Sequence, residues 1–274
     1  MSNAVTLRLR TSLERRIEAD CITPDRFATA SAAEIAHLAM WDGRRQVMLG
    51  DVFDVDGERS TSVRMTGDLA HVDAIGAGMT AGELVIDGPV GRYVGTRMAG
   101  GVLRVLGNAA YGAGLEMANG LLDITGDAGD RLGAARLGAS KGMTGGEIIV
   151  RGNAGAESGT GMRRGTIVIT GTAGPRAGTS MIAGNVIVFG DADDAPGQFN
   201  KRGSIVVFGH VTVPPNYRYV CTYRPPHLAV TLVYLRARRD VAVNAAWNAG
   251  LFRRHSGDMA EVGRGEILEW RSEA

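Results

Sequence analysis

Gly146-Glu-Ile-Ile-Val-Arg-Gly152 is answered nineteen residues later by Gly165-Thr-Ile-Val-Ile-Thr-Gly171. The same phrase returns as Gly184-Asn-Val-Ile-Val-Phe-Gly190 and Gly203-Ser-Ile-Val-Val-Phe-Gly209. Upstream it reads Gly82-Glu-Leu-Val-Ile-Asp-Gly88, Gly101-Val-Leu-Arg-Val-Leu-Gly107 and Gly120-Leu-Leu-Asp-Ile-Thr-Gly126. In all seven copies the second and fourth residues after the opening glycine are aliphatic, from Leu84/Ile86 to Ile205/Val207. A period of two is a strand with one face buried. Glycine at both ends supplies corners where φ can be positive. A helix is excluded: there is no 3.6-residue stripe, and each interior glycine costs a helix about 1 kcal/mol relative to alanine.

Two rulers measure the repeat. From Gly67, the closing glycines are separated by 21, 19, 19, 26, 19, 19 and 19 residues. Met79, Met98, Met117, Met143, Met162 and Met181 are separated by 19, 19, 26, 19 and 19. Both show one seven-residue insertion, which falls at Gly133 to Gly142. A phrase this short cannot bury a core alone, so each copy reads as one coil of a stack. The expected fold is all-β: a right-handed parallel β-helix of about seven 19-residue coils, with small capping segments at both ends. At about 4.8 Å per strand such a rod is roughly 34 Å long. Leucine-rich and calcium-binding nonapeptide repeats are excluded by the missing Asn signature and the missing aspartates.

The coils place residues 61–212 in the solenoid, 1–60 in an N-terminal cap and 213–274 in a C-terminal extension packing on the coils or on a partner. In the cap, Val5, Leu7 and Leu9 alternate with polar residues as a strand. Ser31-Ala-Ala-Glu34 is a capping box opening a short helix with Ile35, Leu38 and Ala39 on one face, stopped near Asp42-Gly43. Gln46 to Asp54 reads as a strand pair or turn. Beyond the paired prolines at 214–215 and 225–226, Val230, Leu232 and Tyr234 suggest a further strand, and Arg239 to Arg254 a helix.

Forty glycines in 274 residues, about twice the usual share, serve the coil corners rather than disorder, since 45% of the residues are hydrophobic. The net charge of +1 gives no electrostatic reason to expect nucleic acid or a membrane surface. There is no apolar run near 18 residues and no leader-like N-terminus, so the expected location is the cytoplasm. Cys21 and Cys221 form no CxxC pattern and read as two thiols. His37, His71, His210, His227 and His255 lack metal-ligand spacing. Triplets such as Gly76-x-Gly78 lie between coils, not between a strand and a helix, so they are no dinucleotide fingerprint. No nucleophile elbow, Walker loop or paired acid and base stands out; no catalytic residue and no metal ligand is assigned, and no cofactor is expected on this chain.

Three features of the coils bear on function. The methionine ladder (Met79, Met98, Met117, Met143, Met162, Met181) reads as core filling, with Asn200 where a seventh would fall. The outward strand positions turn wholly apolar in the last two coils, Ile187/Phe189 and Val206/Phe208. A strand apolar on both faces is covered on both, here by the C-terminal segment or by a partner protein. Finally, Arg92, Arg97, Arg131, Arg136, Lys141, Arg163, Arg164 and Arg176 fall on turns and form a candidate edge for an anionic carrier or an acidic partner.

The coil phrase resembles the GXGXG solenoid of the C-terminal domain of glutamate synthase and of the C subunit of formylmethanofuran dehydrogenase. The flanks Asp20-Cys-Ile-Thr-Pro-Asp-Arg-Phe27, Leu49-Gly-Asp-Val-Phe53 and Ser256-Gly-Asp-Met-Ala-Glu-Val-Gly-Arg-Gly-Glu-Ile267 resemble that C subunit and its homologue in the bacterial formyltransferase/hydrolase complex. The resemblance implies a non-catalytic scaffold subunit in one-carbon metabolism. In the bacterial complex, formyl passes from formyl-tetrahydromethanopterin to a methanofuran-type carrier and is hydrolysed to formate. The archaeal-type dehydrogenase of methanogenesis, which reduces carbon dioxide, is the alternative, followed by a carrier-binding module or a glutamate synthase-like domain. The resemblance also implies a hydrolase metal in an amidohydrolase-like partner, a formyltransferase partner and an anionic methanofuran tail.

Overall fold

The computed structural model describes residues 4–272. Seventeen strands and five helices occur among them, and thirteen of the strands form one sheet. The chain begins with β1 (Val5–Leu9), β2 (Ile17–Glu18), α1 (Pro24–Phe27), α2 (Ala32–Ala36), β3 (Ala39–Asp42), β4 (Arg45–Met48), α3 (Leu49–Val52) and β5 (Phe53–Asp56). The repeat region supplies β6 (Ser62–Thr66), β7 (Val72–Asp73), β8 (Glu83–Asp87), β9 (Ala99–Val105), β10 (Asn119–Ile124), β11 (Glu147–Val150), β12 (Thr166–Ile169), β13 (Asn185–Val188) and β14 (Arg202–Val207). The chain ends with β15 (Arg218–Tyr223), α4 (Pro226–Arg239), α5 (Ala246–Ala249), β16 (Leu251–Gly257) and β17 (Arg264–Arg271).

From β6 through β8 to β14 each strand pairs in parallel with the next, in a register set by the repeat. Like residues therefore stack: Ile148, Ile167, Val186 and Ile205 share one row and Val150, Ile169, Val188 and Val207 another. All eight are fully buried. A side chain of this size contributes about 1.5–3 kcal/mol on burial, so the rows hold the stack together. A thinner ladder of single parallel bridges lines the same core: Leu69, Val90, Ala109, Ala128, Ala154, Ala173, Ala192 and Val211. The sheet is open, with β5 and β15 at its two edges.

Each of the six methionines is fully buried in the same core. Their methyl groups explain the opening glycines one coil on. A Cβ at Gly101, Gly120, Gly165, Gly184 or Gly203 would lie 2.5–2.9 Å from the Cε of Met79, Met98, Met143, Met162 or Met181. All five glycines also have positive φ, so a side chain there is doubly disfavoured.

The outward apolar positions are covered from within the chain. Ile149, Val168, Ile187, Phe189, Val206 and Phe208 form a second buried cluster with Leu228, Leu232 and Leu235 of α4, together with Phe252 and Leu268. Trp247 stacks obliquely on Phe189 and Phe208, with ring centroids 4.6 and 4.5 Å away. Of the two covers left open by the sequence, the C-terminal segment lies here.

The flanking elements depart from the sequence reading in four places. The segment read as a strand around Val230 is the helix α4; Pro226 opens it, and Leu228, Leu232 and Leu235 recur at helical spacing on its buried side. Between Arg239 and Arg254 only the four residues of α5 are helical, and β16 begins after Gly250. The capping box at Ser31 is present, but α2 stops at Ala36. Ala39–Asp42 pairs with Arg45–Met48 around Gly43, whose φ of 60° suits a tight hairpin. Gln46 to Asp54 is accordingly divided between β4, α3 and the start of β5. One further strand went unread: β17 continues the stack, with Gly265 beside Gly203 and Ile267 beside Ile205.

Candidate functional site

Among the described residues, the turns of the repeats hold most of the non-glycine positive-φ positions. Ala74, Tyr93, Arg131, Glu157, Arg176 and Ala195 have positive φ at equivalent stations of successive repeats, where Gly112 takes the place between Tyr93 and Arg131. A second series, four residues on, comprises Arg97, Glu116, Ser180 and Phe199 with Gly78 and Gly161. A non-glycine residue held in this left-handed region costs on the order of 1 kcal/mol or more. Along this edge the strain presents charged and aromatic side chains outward.

The middle of the edge is an ion network. Glu157 accepts from Arg176 Nη2 at 2.8 Å and also pairs with Arg131. Arg131 additionally donates to the Ala135 carbonyl at 2.7 Å. The Arg176 hydrogen bond, followed by the Arg131 charge, holds the Glu157 carboxyl below the usual carboxylate range despite partial burial. Arg136 Nε lies 3.4 Å from Glu116 Oε2.

Two clefts flank the insertion. The first, about 360 Å³, is bounded by Glu18 and Asp20 from the N-terminal segment, by Tyr93, Thr96, Arg97, Tyr111 and Leu115 from the turns, and by Arg136 and Leu137 from the insertion. Tyr93 and Tyr111 meet edge to face, 5.7 Å apart at 89°. The second, about 380 Å³, lies across the same insertion and takes in Arg131, Arg136, Ser140, Thr160, Phe199 and Lys201. Leu137, 82% exposed, stands on the ridge between them.

The candidate cations divide between the two clefts, the ion network and open surface. Arg97 and Arg136 border the first cleft, and Arg131 and Arg136 the second. Arg176 belongs to the ion network. Arg92, Lys141, Arg163 and Arg164 are exposed and border neither cleft. Lys201, absent from the candidate set, joins the second. Thr96 also escaped the sequence reading, although a signal exists: Thr96, Thr160 and Thr179 each stand two residues before a ladder methionine. Glu18 and Asp20 reach the site through tertiary packing of the N-terminal segment, for which no local sequence pattern exists.

Among the described residues no group of three or more His, Cys, Asp or Glu is arranged to hold a metal ion. Among them, too, no helix is long and apolar enough to cross a membrane. Cys21 is buried and Cys221 half-buried, both as free thiols.

No family model matches the chain. The C subunit of the molybdenum-containing formylmethanofuran dehydrogenase 1 of Methanosarcina barkeri is 38% identical over 95 residues, 33% of this chain and 32% of that protein. The C subunit of the formyltransferase/hydrolase complex Fhc of Methylorubrum extorquens is 38% identical over 87 residues, 32% of this chain and 33% of that protein. These sequence matches span about a third of the curated relatives' length. The structural match is far longer. A chain in the crystal structure of the Methylorubrum extorquens FhcABCD complex with methylofuran superposes with a TM-score of 0.89 at 35% identity, over 96% of this chain and 98% of that one. A match of that length and identity, together with two relatives that are themselves C subunits, shows that the chain belongs to the family of C subunits of formyltransferase/hydrolase complexes and formylmethanofuran dehydrogenases.

Proposed function

We propose that this chain is the C subunit of a formyltransferase/hydrolase complex, acting in one-carbon metabolism in the cytoplasm. The observation that carries this reading is the whole-chain superposition at 35% identity on a chain of the FhcABCD complex with methylofuran. In this reading the complex moves formyl from formyl-tetrahydromethanopterin to a methanofuran-type carrier and releases formate. This chain is its scaffold and holds no active site. The hydrolase metal sits in an amidohydrolase-like subunit and the transfer site in a formyltransferase subunit. Residues 61–212 act as a right-handed parallel β-helix, capped by 1–60 and 213–274, whose rigid faces position the partners. The parallel registers and the alanine ladder support the helical reading. The cations at Arg131 and Arg136, beside the second cleft, are the places where an anionic carrier tail or an acidic partner would touch this chain. A second reading, the C subunit of a formylmethanofuran dehydrogenase, is favoured by the 38% identity to the Methanosarcina barkeri protein.

Affinity purification of the full chain from its native host, with formate release assayed on the eluate, tests both readings. Recovery of a formyltransferase and an amidohydrolase-like protein, with formate released from formyl-tetrahydromethanopterin, is expected. Recovery of a pterin-metal protein with iron–sulfur chains supports the dehydrogenase instead. A chain that elutes alone and stays monomeric when the other subunits are coexpressed overturns both.

A further inference from the structure

We propose that the cleft bordered by Thr96 and Tyr93 binds a small zwitterion with a planar apolar body, of which an aromatic α-amino acid is the simplest case. This site is independent of membership in a complex. Its volume of about 360 Å³ falls in the range of small-ligand pockets.

The repeat supplies its own control. Thr96, Thr160 and Thr179 occupy one station in their coils, and each backbone N–H donates to the carbonyl three residues back. Thr160 Oγ1 then closes on the Glu157 carbonyl at 2.9 Å, and Thr179 Oγ1 on that of Arg176 at 2.8 Å. Thr96 makes no such bond. It is 4% exposed, borders the cleft, and its Oγ1 has no hydrogen-bond partner. A buried hydroxyl left unpaired is unfavourable, and a ligand atom in the cleft removes that cost.

The strained neighbours of Thr96 repeat the pattern. Arg131, Glu157, Arg176 and Glu116, left-handed like Tyr93 and Arg97, are tied into ion pairs on the surface of the rod. Among the described residues, no hydrogen bond or ion pair engages the Tyr93 hydroxyl or the Arg97 guanidinium. Glu18 and Asp20 likewise make no ion pair. The cleft thus offers unpaired carboxylates for an ammonium, an unpaired guanidinium for a carboxylate, and the Tyr93–Tyr111 corner for a ring. A ligand with a single charge leaves one of these unmatched.

Calorimetric titration of the full chain with L-phenylalanine, L-tryptophan, tyramine and 3-phenylpropionate tests the assignment. Either amino acid is expected to bind and raise Tm, with tyramine and 3-phenylpropionate about tenfold weaker. Thr96→Val is expected to weaken binding about fivefold and Arg97→Ala about tenfold, with the circular dichroism spectrum unchanged. Thr179→Val, which alters the same station outside the cleft, leaves affinity unaltered. No binding of either amino acid overturns the proposal. So do equal affinity for the singly charged analogues, and a loss in Thr179→Val as large as in Thr96→Val.

Discussion

Arg151 grips Asp123 one coil away with two parallel bonds, Nε to Oδ1 at 3.0 Å and Nη2 to Oδ2 at 2.9 Å. The same guanidinium donates to the carbonyls of Arg239 and Asp240, at 2.9 and 2.7 Å, where α4 ends. One side chain thus clamps two adjoining repeats to each other and to the helix that covers them. The Asp123 hydrogen bonds raise the pKa of Arg151 above its ordinary value. Arg239 reaches back to Glu147 Oε2 at 2.5 Å, and Tyr234 donates to Glu147 Oε1 at 2.8 Å.

Arg151→Leu is therefore expected to loosen α4 while the stack stays intact. Hydrogen exchange should rise across residues 226–239 by about tenfold and change little in β11 to β13. Equal acceleration in the core strands would show that the clamp holds the sheet itself rather than its cover.

Met117 is fully buried in the main core. Met117→Ala should cost roughly 2–5 kcal/mol by urea denaturation, the range for a large-to-small change in a packed core. A loss under half a kcal/mol, well below that range, would mean that the neighbouring rows close over the gap.

Glu157 governs a pH dependence. Its folded pKa is depressed by Arg176 and Arg131, so its contribution is present above the ordinary carboxylate value near 4.5 and is lost as pH falls through the folded value. Glu157→Gln should lower stability at pH 7 by roughly 1 kcal/mol, a surface-pair magnitude. The deficit should shrink as both proteins are taken down to about pH 3. A deficit that is constant with pH would mean that shape, not charge, matters at this position.

The two thiols should separate by reactivity. Burial, with the charge of Asp20 adding to it, raises the Cys21 pKa to about 11, so little thiolate exists at pH 8. A disulfide-exchange reagent at that pH should label Cys221 first and Cys21 only on unfolding. Rapid labelling of both residues in the folded protein would show that the N-terminal segment opens.

The stacked parallel strands were legible because each repeat carries its own evidence. Glycine spacing, alternation and methionine spacing all give the same period, and Ile148 or Val188 needs no distant information to read as inward. The cover was only half legible. Phe189 and Phe208 announce that something lies over them, but β-branched Val230, Thr231 and Val233 disguise the helix that does so. Its true signal, Leu228, Leu232 and Leu235, shows only once a cover is sought. The first cleft was least legible. Glu18 and Asp20 arrive there by tertiary packing, and Thr96 differs from Thr160 and Thr179 in its deeper burial and in a hydrogen bond it does not make.

Both ends of the thirteen-stranded sheet finish with a reversal of direction. Strand β5 runs antiparallel to β1 at one edge, and β16 and β15 run antiparallel beyond β17 at the other. Every rung between them is parallel and shows the same face to the next, which is the arrangement that would let copies join end on end into a fibre. The outermost strands differ, β5 running against the sense of the stack and β15 with it, so they would meet antiparallel if one copy followed another and the parallel register of the turns could not run on from chain to chain.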